Sequence, residues 1–285
     1  MALAPAALLL AYLPLAPALW LGRRLGDAAW AVLGGRRRVC LANLRRAFGP
    51  DAAPDELARL GRRSFEHLGM NAVEFSRMFF RPPATLLARV EMTGHEHLEA
   101  ALRGGRGALI VSAHYGNWEL LPARIVQSGH AGAAVVVRPQ PHPVLEAIAA
   151  RMRRRGGLAL IDKRHGLREI LSTLRAGALV GLLLDQNASR QEGVFVPFFG
   201  EPASTSKGLA LVARRSGAAV VPAFIRRTGP GTHCVEIEPA LPRVDDVAAL
   251  TALVNATIER AIRRAPEQWF WVHRRWRTRP PLSAR

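Results

Sequence analysis

A histidine and a glutamate five positions apart are the residues best placed to do chemistry in this chain. His114 and Glu119 lie in the segment SAHYGNWE, residues 112–119. With 9 histidines and 22 acidic residues, chance alone gives roughly 0.7 such pairs, and the chain holds a second, His233 with Glu238. That second pair lies in the alternating segment HCVEIE, where an odd offset places the two side chains on opposite strand faces. Only the first pair can act together.

The spacing of the first pair is typical of a general base and the group that orients it. His114 ends an apolar segment, and Tyr-Gly-Asn predicts a tight turn that brings Glu119 into the first turn of the next helix. Glu119 is then expected to accept a hydrogen bond from one ring nitrogen, while the other takes a proton from a hydroxyl. The alternative is structural: His114 caps the helix, and Glu119 lies favourably at the helix dipole.

Other catalytic motifs are missing from the sequence. It has no Gly-x-Ser-x-Gly elbow, no Walker A loop and no Gly-x-Gly-x-x-Gly turn. Because histidines and acids do not cluster with metal-ligand spacing, we expect no metal and no cofactor. Cys40 and Cys234 lie far apart, so a disulfide framework is not expected and the chain reads as cytosol-facing.

The elements that must position His114 alternate between strands and helices. Continuous apolar segments predict strands at 107–113, 133–138, 158–162, 178–184, 218–225 and 233–239. Helical segments are expected at 36–48, 55–80, 118–128, 143–155, 166–176, 206–216 and 246–265. Apolar strands separated by helices indicate a sheet buried on both faces. The fold class is therefore α/β, with a mixed, mostly parallel sheet flanked by helices.

Polar side chains follow several of these strands. His114, Arg138, Asp162 and Asp185 each lie at or just after a predicted carboxyl end, the edge at which open α/β sheets bind ligands. We expect Arg138 to hold an anionic group of a substrate, because a lone arginine after an apolar strand needs a partner. The alternative is a structural ion pair with Asp162 or Asp185.

The chain is strongly basic, with 40 Lys and Arg against 22 Asp and Glu and a net charge of +18. Such a surface attracts polyanions, either nucleic acid or anionic lipid headgroups. Three tryptophans of the C-terminal segment, Trp269, Trp271 and Trp276, alternate with arginines and fit either partner. The apolar N-terminal segment favours a membrane surface over nucleic acid.

Residues 2–21 carry no charge, and this length is just enough to span a bilayer as a helix. Pro14, among other prolines, would kink the segment, so a shallow interfacial helix is the other placement considered. Arg23 and Arg24 follow it and place the body on the cytoplasmic side. We therefore expect a membrane-associated helix at 1–22 and a catalytic domain at 23–285. A cleaved signal peptide and a buried core helix are the alternatives.

Several motifs in order resemble one known family. SAHYGNWEL, VVVRP, the run from DQNASRQEG to VVPAF, and PEQWFWVHRRW are similar to the bacterial lipid A lauroyl/myristoyl acyltransferases of the lysophospholipid acyltransferase superfamily. The resemblance covers nearly the whole chain. It implies an acyltransferase-like fold at the bacterial inner membrane, with the catalytic domain on the cytoplasmic side, acting in lipid A and lipopolysaccharide biosynthesis.

The resemblance also implies a reaction. A fatty acyl chain would pass from an acyl carrier protein or coenzyme A thioester to a hydroxyl of a glycolipid acceptor. His114 would be the general base and Glu119 its partner, Arg138 would bind an anion, and Asp185 and Gln186 would contact substrate. Asn187 and the plain Asn-Trp-Glu turn depart from many lipid A enzymes. The acceptor therefore stays open between a lipid A precursor and another lipid, such as a phosphatidylinositol mannoside or a lysophospholipid.

The remaining candidate contacts to substrate are Asn117 in the His114 turn and three aromatic residues. Phe195, Phe198 and Phe199 lie in an apolar segment bounded by glycines and could line the groove for the acyl chain. Their alternative is a loop tucked into the core. Two rival functions remain at this point: a membrane-tethered nucleic-acid-binding protein, and a lipid hydrolase that releases the acyl chain to water.

Overall fold

A seven-stranded sheet forms the centre of the molecule. The computed structural model describes residues 3–130, 132–139 and 142–281. The strands are β1 Val90–Thr93, β2 Ala108–Ser112, β3 Ala134–Val137, β4 Ala159–Asp162, β5 Leu179–Leu183, β8 Ala219–Gly229 and β9 Thr232–Ile237, in the order β1-β9-β8-β2-β5-β3-β4. Neighbouring strands pair in parallel except β8 and β9, which pair antiparallel. The predicted α/β class with a mostly parallel sheet is confirmed.

Helices cover both faces of the sheet. They are α1 Leu3–Tyr12, α2 Leu15–Val32, α3 Gly34–Phe48, α4 Pro54–Phe80, α5 Ala84–Leu87, α6 His95–Leu102, α7 Leu120–Gln127, α8 Pro143–Arg155, α9 Leu167–Arg175, α10 Gly208–Ser216 and α11 Val247–Arg264. Successive residues of β2 enter different cores: Leu109 faces the core built by α3, α9, α10 and α11, and Ile110 faces the core built by α6, α7 and α8. This two-sided burial explains why the strands read as continuous apolar runs.

The apolar segment with the three phenylalanines is a hairpin, which the sequence did not predict. Its strands are β6 Gly193–Phe198 and β7 Glu201–Ser206, paired antiparallel. Phe199 and Gly200 form the turn with φ of 52° and 76°. A two-residue hairpin turn with both φ values positive matches the twist of its strands, but phenylalanine rarely takes this conformation, so composition alone did not signal the turn.

The N-terminal segment is two helices rather than one. α1 ends at Tyr12, and α2 begins after Pro14, the kink expected there. α2 crosses α4 closely: a Cβ on Gly22 would lie 2.7 Å from the carbonyl oxygen of Gly69. α2 runs through residue 22 without a break, so the expected boundary between anchor and domain is not marked in secondary structure. Within the described residues, we find no helix both long and apolar enough to cross a membrane.

The tryptophans of the C-terminal segment are core residues, which corrects the expectation of an exposed basic and aromatic tail. Trp269, Trp271 and Trp276 are all buried, and Trp269 and Trp271 pack edge to face with ring centroids 4.5 Å apart. Arg275 is also fully buried and donates to the Ser204 carbonyl at 2.8 Å. The C-terminal segment therefore packs against the β6–β7 hairpin and holds it on the rest of the protein. Because these tryptophans are buried, they offer no stacking surface to nucleic acid or lipid.

Candidate active site

The side chains of His114 and Asp185 are hydrogen-bonded where β2 and β5 end side by side. The two strands are parallel neighbours, with Ser112 opposite Leu183, so their carboxyl ends meet at one edge of the sheet. Nδ1 of His114 lies 2.8 Å from Oδ1 of Asp185, and the His114 backbone N–H donates to Oδ2 at 3.0 Å. Because a carboxylate has no proton to give, Nδ1 carries the hydrogen and Nε2 keeps a free lone pair. This is the tautomer that a general base needs.

Asp185 is ionised although it is almost completely buried. Burial raises the pKa of its carboxyl, but the neighbouring His114 ring, the hydrogen bond from the Trp269 indole and the His114 N–H together outweigh burial and lower the pKa. The indole Nε1 of Trp269 donates to Oδ2 at 2.7 Å. Oδ2 thus faces two fixed N–H donors, and Oδ1 faces the imidazole. The sequence predicted Asp185 as a substrate contact, whereas it lies beneath the ring and holds it.

The second ring nitrogen of His114 faces Gln186. The side-chain nitrogen of Gln186 lies 3.2 Å from Nε2, where an amide N–H can donate to the free lone pair. The ring packs edge to face on Trp118 at 5.2 Å between centroids and lies 5.9 Å from Phe270. Both aromatic side chains are partly exposed. His114 therefore has a polar partner on each nitrogen and an apolar wall beside its open edge.

Glu119 does not contact His114, and the expected hydrogen bond between them is not formed. Its carboxylate instead accepts two hydrogen bonds from Arg153 of α8, at 3.0 Å from Nε and 2.7 Å from the terminal nitrogen. The residue occupies the N-cap position of α7, but its side chain makes no capping hydrogen bond. The turn directs its carboxylate away from the sheet edge, toward α8, and the strand neighbour Asp185 takes the place beneath the ring. The predicted His114–Glu119 pairing is therefore wrong on geometry.

The turn after His114 is held by tight backbone contacts. Gly116 has φ of 60°, and a Cβ there would lie 1.8 Å from the Ile225 carbonyl oxygen, so only glycine fits. Asn117 is buried and donates to Glu74 of α4 at 2.7 Å. The side chain predicted as a substrate contact therefore points into the protein and fixes the turn from below.

Glu74 belongs to a buried charged network that the sequence analysis missed. Its carboxylate accepts two hydrogen bonds from Arg227 of β8, at 2.6 and 2.7 Å, and lies 3.0 Å from Nε2 of His233. Burial alone raises the pKa of Glu74, but His233 and Arg227 outweigh it and hold the pKa far below its usual range. Asn71, one turn earlier on α4, donates to the Gly116 carbonyl at 2.7 Å. The sequence did contain one signal for this network: Glu74 is a charged residue on the apolar face of the predicted helix 55–80.

Arg138 lies on the surface beyond the end of β3, with its side chain 67% exposed. Its nearest acid is Glu192, at 3.5 Å, which also accepts from Lys163 at 3.0 Å. The structural alternative, a pair with Asp162 or Asp185, is not formed: Asp162 binds Arg164 at 2.8 Å. Of the four polar residues expected to converge, His114 and Asp185 meet directly, whereas Arg138 and Asp162 are held by other residues.

The three phenylalanines divide into core and partly exposed positions. Phe198 and Phe199 are buried, and Phe198 packs between Trp269 and Trp276, at 5.6 and 5.7 Å between centroids. They cannot line an open groove, so the core alternative holds for these two. Phe195 is partly exposed. The aromatic side chains that do contact the His114 ring are Trp118 and Phe270, which the sequence analysis did not single out as substrate contacts.

Comparisons with known proteins identify the family of the chain. The family model described as bacterial lipid A biosynthesis acyltransferase matches residues 2–278. The chain is 31% identical over 264 residues to the lipid A biosynthesis lauroyltransferase of Escherichia coli K12, covering 91% of this chain and 85% of the relative. It is 32% identical over 266 residues to the palmitoleoyltransferase of the same strain, covering 92% and 85%.

A relative named for another acceptor matches at a similar level. The phosphatidylinositol mannoside acyltransferase of Mycobacterium tuberculosis is 31% identical over 241 residues, covering 82% of this chain and 75% of the relative. The relatives share acyl transfer to glycolipids and differ in the acceptor that their names give. Because a family model matches almost the whole chain and relatives at 31–32% identity cover more than nine tenths of it, this acyltransferase belongs to the bacterial lipid A biosynthesis acyltransferase family.

Proposed function

We propose that this enzyme moves a fatty acyl chain from an acyl carrier protein or coenzyme A thioester to a hydroxyl of a glycolipid, with His114 as the general base and Asp185 as the group that orients it. The observation that carries the proposal is the Asp185–His114–Gln186 row, in which Nδ1 is fixed by a buried carboxylate and Nε2 faces an amide. The favoured acceptor is a lipid A precursor, because the family model and the two Escherichia coli relatives carry that name.

The reaction begins with displacement of the Gln186 amide from Nε2 by the acceptor hydroxyl. Nε2 takes the hydroxyl proton while the oxygen attacks the thioester carbonyl. Asp185 stabilises the imidazolium that results, as a carboxylate does in serine-histidine-aspartate sites. Collapse of the tetrahedral intermediate breaks the carbon–sulfur bond, and the leaving thiolate takes the proton back from Nε2. The products are one ester and one free thiol, and no covalent acyl-enzyme is formed.

Two partly exposed aromatic side chains, Trp118 and Phe270, supply the apolar wall beside the base. We propose that the acyl chain lies against them, with Phe195 as a further contact. Arg138, exposed and held only at 3.5 Å by Glu192, is proposed to bind an anionic group of donor or acceptor. An exposed surface pair contributes about 0–1 kcal/mol, so substrate can displace Glu192 at little cost.

The test measures thiol release with and without acceptor. Purified enzyme is given the same acyl group on acyl carrier protein and on coenzyme A, each with a lipid A precursor, a phosphatidylinositol mannoside or no acceptor. We expect thiol release to depend on acceptor and to equal the ester formed. Equal thiol release without acceptor, with free fatty acid as product, would identify a hydrolase. RNA binding without thioester consumption would favour the nucleic-acid alternative. The faster donor and acceptor identify the substrates.

We propose that the enzyme works at the cytoplasmic face of the inner membrane, with 1–22 as its principal lipid contact and 23–285 as the catalytic domain. Apolar side chains on α1 and α2 are exposed: Leu9 at 61%, Tyr12 at 62% and Trp20 at 60%. α1 has ten residues, so it is about 15 Å long, against about 30 Å of hydrocarbon. An interfacial placement therefore fits better than a span, with Arg23 and Arg24 near the anionic headgroups.

Vesicle sedimentation tests this placement. Leu9→Glu with Trp20→Glu should move the protein from vesicles of anionic lipid to the supernatant, because a charge opposes apolar insertion. Leu167→Glu is the matched control, since Leu167 is 50% exposed on α9. Salt alone should not release the wild type, because apolar insertion is not screened. Full release by salt, or equal binding of the double variant, would contradict insertion of α1 and α2.

A further inference from the structure

Three side chains away from the candidate active site lie close enough together to bind one metal ion. His95 and Glu99 lie one turn apart on α6, and His130 follows α7. One ligand atom from each side chain lies within 4.8 Å of the others. We propose that His95, Glu99 and His130 bind one zinc ion, or a similar borderline divalent metal, at a site distinct from the catalytic one.

The distances fit tetrahedral zinc. Oε1 of Glu99 lies 3.2 Å from Nε2 of His95 and 3.5 Å from Nε2 of His130. Ligand bonds of about 2.0–2.1 Å in a tetrahedron give edges of about 3.3–3.4 Å between ligand atoms. Two nitrogens and one oxygen are donors that zinc accepts, and a water would complete the four.

His130 gives the second, independent observation. Its side chain is only 10% exposed, and its Nε2 is buried without a hydrogen-bond partner. A buried polar nitrogen with no partner is costly. A metal ion between the rings would satisfy this nitrogen and compensate the charge of Glu99.

The topology places the cluster at the opposite end of the sheet from His114. His95 follows β1, which runs antiparallel to β2, and His130 precedes β3, which runs parallel to it. Both therefore lie where β2 begins, whereas His114 lies where β2 ends. The metal does not take part in acyl transfer. It joins α6 to the α7–β3 connection and stabilises that end of the fold.

Only part of this site could be recognised in the sequence. His95 and Glu99 have the one-turn spacing that places two ligands on one helix face. His130 lies far along the chain and comes from a different element, so the expectation of no metal rested on a spacing that could not reveal the third ligand. The fold, rather than a motif, brings the three together.

The test uses full-length enzyme without an affinity tag, stripped with chelator and titrated calorimetrically with Zn²⁺. We expect one zinc per chain and a melting temperature that rises by about 5 °C at a hundred times the Kd. Co²⁺ in its place should give the intense visible absorption of a tetrahedral site. Mg²⁺, which prefers oxygen ligands, should leave the melting temperature unchanged.

Variants assign the binding to this cluster. His130→Ala and Glu99→Gln should each raise the zinc Kd by about a hundredfold, while His97→Ala on the same helix should not. Glu99 is half exposed, so Glu99→Gln tests the ligand role even where His130→Ala fails to fold. Absence of saturable binding, or the same Kd and melting shift in Glu99→Gln as in wild type, would overturn the proposal. None of these readouts depends on acyl transfer.

Discussion

Replacing Asp185 with asparagine should remove the base without removing the histidine. Oδ2 of Asp185 accepts from two donors that have no acceptor role, the His114 backbone N–H at 3.0 Å and the Trp269 indole at 2.7 Å. The amide oxygen of the introduced asparagine must take that place, which turns its NH₂ group toward Nδ1 of His114. Nδ1 then has to accept, so its proton moves to Nε2. A protonated Nε2 cannot take the proton of a hydroxyl.

The expected loss of rate follows from the contribution of general-base catalysis. General-base catalysis contributes about 10²–10⁴ in rate, and the wrong tautomer removes it. This range corresponds to about 2.7–5.4 kcal/mol of transition-state stabilisation. Because the side chain of Asp185 contacts the ring and not the acceptor, kcat should fall while KM changes little.

Stability should change with pH in a defined direction. The pKa of Asp185 is lower in the folded protein than in an unfolded chain. The stabilisation from the hydrogen bonds to its carboxylate is therefore complete above the unfolded pKa, about 4, and is lost as pH falls through the lower folded pKa. Asp185→Asn should weaken this acid dependence of the melting temperature, a readout that does not involve catalysis.

Glu119→Gln is the matched control, because Glu119 is the acid that the sequence placed beside His114. It breaks the pair with Arg153, so the melting temperature should fall while kcat of the folded protein stays within a few-fold of wild type. Steady-state kinetics on both variants, with circular dichroism for folding, decide between the two acids. A kcat near wild type for Asp185→Asn beside a hundredfold loss for Glu119→Gln would refute the tautomer argument.

Three further predictions concern other parts of the molecule. Glu74→Gln should lower the free energy of unfolding by about 3–5 kcal/mol in urea titrations, because it leaves Arg227 buried without its carboxylate; an unchanged midpoint would contradict this. Cys40 should resist thiol reagents at pH 8 until the protein unfolds, since burial raises the pKa of its thiol to about 12; rapid labelling of the native protein would contradict it. Arg138→Lys should raise the apparent KM at an unchanged melting temperature, because the bidentate fork is lost while the pair with Glu192 is exposed; a large drop in melting temperature with unchanged KM would refute the binding role.

The central sheet could be predicted because its strands are buried on both faces. Apolar runs such as 107–113 had no other interpretation, and the polar residues at their ends marked the sheet edge. The β6–β7 hairpin was missed because its turn uses Phe199, a residue that rarely takes positive φ. The strand β1 Val90–Thr93 was missed because it lies at the edge of the sheet and only Val90 is buried, so it has no continuous apolar run.

The sequence analysis predicted the histidine of the candidate site correctly but not the acid that pairs with it. Sequence spacing favours Glu119, five positions away, because a turn can fold back on itself. Pairing of β2 with β5 brings Asp185 closer although it lies 71 positions along the chain. Register between distant strands decides which acid meets His114, and a single sequence contains no record of that register. The same reason explains why Asn117 was expected in the substrate groove and is found bound to Glu74.

The most direct test of the proposed mechanism is a single-turnover acyl transfer with His114→Ala. A labelled acyl thioester and the glycolipid acceptor are mixed with excess enzyme, and mass spectrometry follows the acylated acceptor. We predict that the variant folds, as judged by its melting temperature, and forms the ester about 10²–10⁴ times more slowly than the wild type. Ester formation at the wild-type rate by folded His114→Ala would contradict the claim that Nε2 of His114, held by Asp185, takes the proton of the attacking hydroxyl.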